Sequence, residues 1–325
     1  MSLNVNVSGA WKNASAVHTR VNGTWRKVTQ VWVRVNGSWK QVWSGSGFRV
    51  VANLNGPRIW HYTEAVNGYV YVIGGYSSVI EPGKENITTE RYDPNTNTWA
   101  YMANNPYRKV NGCSFVIDNK IYVQGGNGQY YQGVIYNPAT NTYGEYKQTR
   151  AGESQFSGAI NGYGYTAGGL DGSIYNNTYQ YNPTTNTSTL MAPMPTALAY
   201  GASAAVFNSL FTFGGMDING NWTNLVYQYT PSNNTWTQKA SAPSADQRPC
   251  AWSFNNKIYL YRLWNQLDIF DPATNTWVTS ADRSPSGQSI YSTKAAVVGN
   301  KAYIPGGVNA NNGSFSNQTL EYTMG

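Results

Sequence analysis

The sequence predicts an all-β protein made of six similar units, each with four short strands. An octet that starts with an aromatic residue and continues with Pro, Asn and Thr recurs five times, at 92–99, 136–143, 181–188, 229–236 and 270–277. A second pattern, an aromatic residue followed closely by Gly-Gly, ends at residues 75, 126, 169, 215 and 307, with a degenerate copy, YLYRL, ending at 263. Successive copies lie 43 to 51 residues apart. A period of this kind indicates a repeat architecture.

The octet has the composition of a tight turn between two strands. Proline fixes φ, and asparagine tolerates the left-handed region and hydrogen-bonds its own backbone. Asn-Gly pairs at 67–68 and 161–162 mark a second hairpin earlier in the unit. Each unit therefore has an innermost strand, a tight turn, a strand ending in Gly-Gly, a variable loop, an aromatic strand, the octet turn and an outer strand. Four strands at this period predict a β-propeller.

The last unit lacks an octet and ends after its third strand, in LEYTMG at 320–325. Its outer strand is expected from the beginning of the repeat region, because GFRVVANLNGPR (47–58) resembles TWAYMANNPYR (98–108), with Phe48 in the place of Trp99. Closing the ring removes an open sheet edge. Residues 47 to about 55 are therefore predicted to complete the sixth blade.

The paired glycines, the tyrosine that follows them and the tryptophan seven residues later resemble kelch repeats. The resemblance extends over residues 47–325 and implies a six-bladed kelch-type β-propeller closed by an N-terminal strand. Kelch propellers serve as enzymes, adaptors and binding modules, so the resemblance alone does not select a function.

Positive charge is concentrated in the first 46 residues. The chain carries a net charge of +7, of which residues 1–46, with six basic and no acidic side chains, contribute +6. The nearly neutral region 47–325 lacks the basic surface expected of a nucleic-acid reader. Neither an apolar run of 18 residues nor a signal-peptide pattern is present, so no membrane insertion is expected.

Residues 1–46 contain a separate repeat, in which Trp11, Trp25 and Trp39 are spaced by 14 residues. Glycine turns and β-branched alternation around each tryptophan predict short β-hairpins. The segment resembles Trp-Lys hairpin repeats of bacteriophage tail and appendage proteins, which implies a module for attachment to other virion proteins, with self-association left open. The alternative is a small β cap packed against the propeller, with its basic side chains on solvated strand faces.

Catalytic and metal-binding patterns are missing from the sequence. The chain has two histidines, His18 and His61, and two cysteines, Cys113 and Cys250, which are expected to be buried free thiols. No nucleophile elbow or phosphate-binding loop occurs, and DINGN at 217–221 lacks the remainder of a calcium loop. We therefore expect a protein that is not an enzyme and holds no cofactor or metal.

The ligand site is predicted at one end of the ring. The loops that lead into the innermost strands and the loops between second and third strands must lie at the same end, because alternate strands of a blade run in the same direction. The leading loops supply arginines; in mammalian kelch adaptors such arginines line the central mouth, and Arg58 and Arg108 match that placement best. The variable loops supply aromatic residues that could stack on a ligand. The candidate ligand-binding residues are Arg58, Arg108, Arg150, Arg248, Tyr131, Tyr175, Trp222 and Trp264. The alternative for any one arginine is a structural role, bonded to neighbouring carbonyl groups, and for any one aromatic residue it is packing.

These observations favour a bacteriophage virion appendage, similar to a tail fibre or spike, made in the bacterial host cytoplasm and located on the virion. Its propeller would bind a host surface receptor, a glycan, because aromatic rings beside amides suit saccharides. Two alternatives remain open: a structural decoration protein of the capsid or baseplate that binds virion proteins, and a bacterial sugar-binding propeller with no virion role.

Overall fold

The structure is a computed structural model that describes residues 47–77, 86–126, 133–147, 152–284 and 293–325 with their side chains, and strand backbone within 4–44, 84–85 and 290–291. Six four-stranded antiparallel sheets follow one another along the chain. We call them blades 1 to 6 and count the strands of each blade from the centre outward. The all-β six-bladed propeller predicted from the repeats is confirmed.

The strands of the blades are short, mostly of five residues. Blade 1 comprises Tyr62–Val66, Tyr69–Ile73, Thr89–Asp93 and Thr98–Tyr101. Blade 2 comprises Cys113–Ile117, Lys120–Gln124, Gly133–Asn137 and Thr142–Tyr146. Blade 3 comprises Phe156–Ile160, Tyr163–Ala167, Thr178–Asn182 and Thr187–Met191.

The second half of the ring repeats this plan with longer central strands. Blade 4 comprises Ala202–Val206, Ser209–Met216, Trp222–Thr230 and Thr235–Gln238. Blade 5 comprises Cys250–Phe254, Lys257–Arg262, Gln266–Asp271 and Thr276–Thr279, with a short 3-10 turn at Leu263–Asn265. Blade 6 comprises Ala296–Val298, Lys301–Pro305, Thr319–Thr323 and Gly47–Val51.

The outer strand of blade 6 comes from the beginning of the propeller region, as the sequence predicts. Gly47–Val51 pairs with Thr319–Thr323, and Phe48 lies opposite Tyr322, as Trp99 lies opposite Tyr92 in blade 1. The rings of Phe48 and Tyr322 are 4.6 Å apart. We call Gly47–Val51 the closing strand.

The octet turns join neighbouring blades. The octet asparagine of blades 1 to 5 has positive φ, and its side-chain oxygen accepts a hydrogen bond from a backbone N–H that follows the preceding blade's outer strand. In blade 4, Asn234 accepts from Ala192 N at 2.8 Å and from the Tyr229 hydroxyl at 2.7 Å. The indole N–H of Trp236 donates to the Ala192 carbonyl at 3.0 Å. The repeated asparagine thus holds one blade against the next.

The hydrophobic core lies between the blades rather than at one centre. The cluster between blades 4 and 5, for example, packs Phe211 and Phe213 against Ile258, Leu260 and Phe270. Every blade shares such a cluster with its neighbour. The apolar side chains of adjacent blades are therefore buried against each other. The core leaves the axis of the ring open.

Small additional strand pairs lie outside the blades. In the loops these are Tyr76–Ser77 with Lys84–Glu85, Leu170–Asp171 with Ser173–Ile174, and Ile290–Tyr291 with Val308–Asn309. In the first 46 residues they are Asn4–Val7 with Ala10–Asn13, Val17–Val21 with Thr24–Val28, and Gln30–Val35 with Ser38–Ser44. That residues 1–46 act as a separate attachment domain stays a prediction. Within the described residues, no helix has the length and apolarity that a membrane span requires.

Candidate functional site

The Gly-Gly pair of one blade positions the leading loop of the next. Gly75 N–H donates to the Lys109 carbonyl at 3.0 Å, and a Cβ at Gly75 would lie 2.7 Å from the Ile59 carbonyl oxygen. Its φ of 95° is in the region that favours glycine. The same bond recurs from Gly126 to Gly152, from Gly169 to Leu198 and from Gly307 to Arg58. Each accepting carbonyl lies two residues before the position that forms the mouth of the channel.

Five equivalent residues form a ring at this mouth, each two positions before the innermost strand of its blade. All five have positive φ, between 48° and 67°, although none is glycine. We call them the mouth ring; its members are Trp60, Asn111, Ser154, Tyr200 and Arg248. Blade 6 contributes no described residue to this ring. A bulky side chain in this backbone region costs free energy and persists where the surroundings enforce it.

Three backbone hydrogen bonds link four of the five mouth-ring residues and hold the mouth conformation. Asn111 N–H donates to the Trp60 carbonyl at 2.8 Å, Ser154 N–H to the Asn111 carbonyl at 2.6 Å, and Tyr200 N–H to the Ser154 carbonyl at 3.2 Å. Because the backbone is left-handed here, these N–H and carbonyl groups point toward the neighbouring blade and not along their own strand. The side chains of the ring consequently face the end of the channel, where all five line its cavity.

Arg248 lies across the mouth between two aromatic side chains. Its guanidinium carbon is 4.2 Å from the ring centroid of Tyr200 and 5.1 Å from that of Trp60. Nη1 also reaches the side-chain oxygen of Asn111 at 3.4 Å. A single arginine of blade 5 thus contacts blades 1, 2 and 4, in the stacked geometry that cation–π attraction favours.

Further aromatic rings extend the mouth outward. Trp222 lies 6.4 Å from Tyr200, and Tyr76 lies between Trp60, at 6.2 Å, and Phe315, at 5.9 Å. All of these side chains are half-buried. The indole N–H of Trp60 is buried and has no acceptor among the described residues. An unused donor beside stacked rings is a feature that a ligand oxygen would satisfy.

Below the mouth, the innermost strands enclose a cavity of about 390 Å³. Its polar groups include Glu64, whose carboxylate accepts a hydrogen bond from Ser114 Oγ at 2.7 Å. Burial raises the pKa of Glu64, while the Ser114 hydrogen bond and the positive charge of Lys294 oppose that rise. Among the described residues, no group of three or more metal-ligating side chains occurs.

Comparison with known proteins addresses the fold. A Kelch motif model matches residues 63–106. A putative F-box/kelch-repeat protein of Arabidopsis thaliana is 34% identical over 103 residues, 31% of this chain and 28% of that protein. Kelch-like protein 35 of Mus musculus is 26% identical over 222 residues, 67% of this chain and 38% of that protein. The solved structure of YjhT has a TM-score of 0.70 at 16% identity, covering 83% of this chain and 95% of that chain.

The chain is a six-bladed β-propeller with a kelch motif. It spans less than two fifths of the length of either curated relative. The likeness to YjhT concerns the fold alone, because the two chains are 16% identical. A kelch propeller is a protein-interaction fold. Its leading loops and variable loops meet at one end, as the bridges between Ile59 and Tyr76 and between Ala199 and Met216 demonstrate.

The ligand role expected for Arg58 in this propeller is not supported. Its side chain is 0% exposed and forms an ion pair with the equally buried Glu90. Glu90 also accepts hydrogen bonds from the backbone and side-chain nitrogens of Asn55. Arg58 instead ties the segment after the closing strand to blade 1, the structural alternative considered for these arginines.

Other predicted residues are also placed away from the mouth. Arg108 is half-buried and does not line the channel cavity. Tyr175 is 8% exposed and packs over Gly152, where an added Cβ would lie 2.1 Å from its hydroxyl, so its ring is not presented to a ligand. Arg150 and Tyr131 lie outside the described residues. Ligand contact by these two residues stays a prediction.

Three predicted residues do lie at the mouth end. Arg248 is a member of the mouth ring and Trp222 is adjacent to it. Trp264, in the variable loop of blade 5, is 71% exposed and has a φ of 64°. In the same blade, Arg262 occupies the first Gly position and bonds to Asp246 and Asp268. That ion-pair network explains the degenerate repeat YLYRL.

Sequence reasoning missed Trp60, Asn111, Ser154 and Tyr200, which make up most of the mouth ring. Their signal is positional, since each lies two residues before an innermost strand, but the residue types differ from blade to blade. The buried His61 has its pKa lowered to about 3 by burial and stays neutral, donating from Nε2 to the Pro305 carbonyl at 2.9 Å. Cys113 and Cys250 are buried free thiols, as expected, and burial raises their pKa values to about 11 and about 12.

Proposed function

We propose that this kelch propeller is the receptor-binding part of a bacteriophage virion appendage, and that its mouth binds a saccharide of the host surface. The observation that carries the proposal is the stack of Arg248 on Trp60 and Tyr200 at the end of the channel. Aromatic rings pack on the apolar faces of sugar rings, while guanidinium and amide groups bond hydroxyl or carboxylate oxygens. Ligand sites typically combine apolar walls with a few polar groups in this way.

The strained backbone of the mouth ring supports a binding role. A structural turn at these positions would be served by glycine or asparagine, which adopt positive φ at lower cost. Four of the five positions instead carry Trp, Ser, Tyr and Arg. Such strain is retained where the side chain is needed. The indole N–H of Trp60, which meets no acceptor in the part of the chain that the structure describes, adds a donor for a ligand oxygen.

Attachment to the virion is proposed for residues 1–46. The support is the resemblance of its Trp repeat to phage appendage hairpins and the charge of +6 on a segment without acidic residues. An acidic surface on another virion protein would complement that charge. Immunogold electron microscopy of particles that carry the full chain, or a chain limited to residues 47–325, tests this assignment. Equal incorporation of the full chain and of the chain limited to residues 47–325 would contradict the attachment role of residues 1–46.

The receptor proposal is tested by replacing Trp222 and Trp264 together with alanine. Loss of an aromatic anchor costs at least about 2 kcal/mol of binding, which is roughly a thirtyfold loss of affinity. The measurements are binding to a glycan array, adsorption of particles to host cells and the melting temperature. Phe207, half-exposed in the tight turn between the first two strands of blade 4, is the matched control, and Phe207→Ala should leave adsorption unchanged.

The outcomes separate the alternative functions. Normal adsorption by a folded double variant would exclude Trp222 and Trp264, the aromatic rim beside the mouth ring, as part of the receptor site. Lost adsorption without any glycan signal would assign the mouth to a protein receptor, in line with the protein-interaction character of the fold. A chain that is absent from the exterior of particles would leave a sugar-binding propeller without a virion role.

A further inference from the structure

The channel below the mouth contains two charged side chains that do not pair with each other. Glu64 of blade 1 and Lys294, just before the innermost strand of blade 6, both line the cavity. One Glu64 oxygen accepts the Ser114 hydroxyl, and the other has no donor within the described part of the chain. The Lys294 ammonium lies 6.0 Å from the Tyr62 ring centroid, and it donates no hydrogen bond to the described residues.

This arrangement leaves an acidic and a basic group available to the lumen. Partly buried charges are normally paired or hydrogen-bonded, because desolvation without a partner is costly. Both groups are half-buried, and no ion pair joins these two residues. They line the same cavity, and the positive charge of Lys294 opposes the rise in the Glu64 pKa that burial causes. A small ligand that carries one positive and one negative charge would satisfy them together.

Two serine hydroxyls of the channel wall are not available to such a ligand. Ser157 Oγ donates to the Ser114 carbonyl and Ser203 Oγ to the Ser157 carbonyl, both at 2.9 Å, so these hydroxyl protons are already used. Gly158 and Ala204 line the same cavity and leave its volume of about 390 Å³ open. That space accommodates a small molecule but not a folded chain.

We propose that the lumen binds a free α-amino acid, with its ammonium group on Glu64 and its carboxylate on Lys294. The α-amino acid head is the small unit that carries both charges one carbon apart. Its ammonium would donate to the open oxygen of Glu64, and its carboxylate would accept from the ammonium of Lys294. Glu64 and Lys294 line the same cavity as the mouth ring. The amino acid proposal does not depend on the proposed saccharide function.

The test is isothermal titration calorimetry of the full chain with L-alanine, L-serine, L-leucine and L-glutamate. N-acetyl-L-alanine and L-alanine methyl ester each remove one of the two charges and serve as matched probes. Each derivative loses one charge-assisted hydrogen bond. We therefore expect each to bind at least about tenfold more weakly than L-alanine. Glu64→Gln and Lys294→Met should weaken L-alanine to a similar extent. Lys120→Met, at an exposed hairpin turn, is the control and should bind normally.

Several results would overturn the proposal. These are the absence of binding by all four amino acids, equal binding of L-alanine and its two blocked derivatives, or normal binding by folded Glu64→Gln and Lys294→Met variants. The blocked derivatives are measured on the unchanged protein, so the test stands even if a variant fails to fold. No glycan or cell enters the assay, so its failure is distinct from failure of the receptor proposal.

Discussion

The octet turns and the mouth ring are both repeated positions with left-handed backbone, but only the octet turns repeat the residue. At the octet turns, asparagine occupies the positive-φ position in blades 1 to 5 and makes the same hydrogen bond to the preceding blade. At the mouth, the five equivalent positions carry five different residues. Repetition of both backbone and residue marks a structural joint. Repetition of the backbone alone marks a frame that presents variable side chains.

Blade 6 gives the strongest test of the joint, because it has no octet and depends on the closing strand. Removing residues 1–55 would leave Thr319–Thr323 without an outer neighbour and expose a sheet edge. We expect aggregation or loss of a sharp thermal transition, measured by calorimetry and light scattering. Removing only residues 1–46 should preserve the transition, since no strand of the six blades is lost. A monomeric, cooperatively melting chain that starts at residue 56 would contradict this account of closure.

A single octet asparagine should have the next largest effect. Asn234→Ala removes the acceptor for Ala192 N–H and the Tyr229 hydroxyl, and places alanine at a φ of 53°. Two lost hydrogen bonds and the backbone strain together suggest a loss of about 3 kcal/mol in unfolding free energy. Asn234→Gly, which tolerates that φ, should lose about 2 kcal/mol. Urea denaturation measures both changes in unfolding free energy. Equal stability of Asn234→Ala and the unchanged chain would show that Asn234 does not hold blade 4 against blade 3.

The sequence predicts the joints better than the mouth for a physical reason. The octet asparagine, the glycine pair and the match of Phe48 to Trp99 are visible because the same contact requires the same residue in each blade. The mouth ring is set by backbone hydrogen bonds between successive leading loops, which place no demand on residue type. Trp60 and Tyr200 therefore show no repeated pattern.

Arg58 is a residue for which a sequence pattern predicted a ligand role that the structure does not support. Its position after the Pro of GPR predicted a ligand arginine, yet its ion pair with Glu90 depends on a contact across 32 residues. No local pattern reveals which of several loop arginines has a buried carboxylate within reach. Arg248, which carries the same kind of sequence signal, instead stacks on Tyr200 at the mouth.

At the mouth, a glycine substitution should separate the effect of backbone strain on stability from the effect of the side chain on binding. Arg248→Ala and Arg248→Gly both remove the guanidinium, but only glycine relieves the φ of 48°. We expect the glycine variant to be about 1 kcal/mol more stable to unfolding than the alanine variant. Both should lose saccharide binding equally. The opposite order of stability would show that the mouth backbone is not strained, and the same pair of changes at Arg108, which has no positive φ, provides the control.

The closing strand should differ from the octet turns in its response to pH, because charges hold it. Burial alone would raise the pKa of Glu321, but the hydrogen bond from Arg49 and the charges of Lys301 and Arg49 outweigh burial and hold that pKa below its ordinary value of 4.5. Arg49 Nε lies 2.7 Å from Glu321 Oε1 across the closing strand. A carboxyl with a depressed folded-state pKa stabilises the fold above its unfolded value, and this contribution is lost as the pH falls through the folded value.

The melting temperature should therefore decrease below about pH 4.5 through this group, and Arg49→Met should show a smaller decrease over the same interval. The expected effect is the smallest of the four, since the Arg49 side chain is 55% exposed and solvent screens the pair. Asn234→Gly is the matched comparison: it disturbs a joint made of amide and hydroxyl groups, which do not titrate here, so its melting curve should shift by the same amount at pH 7 and pH 3.5. If Arg49→Met follows the pH profile of the unchanged chain, Glu321 is not the group that makes closure sensitive to acid.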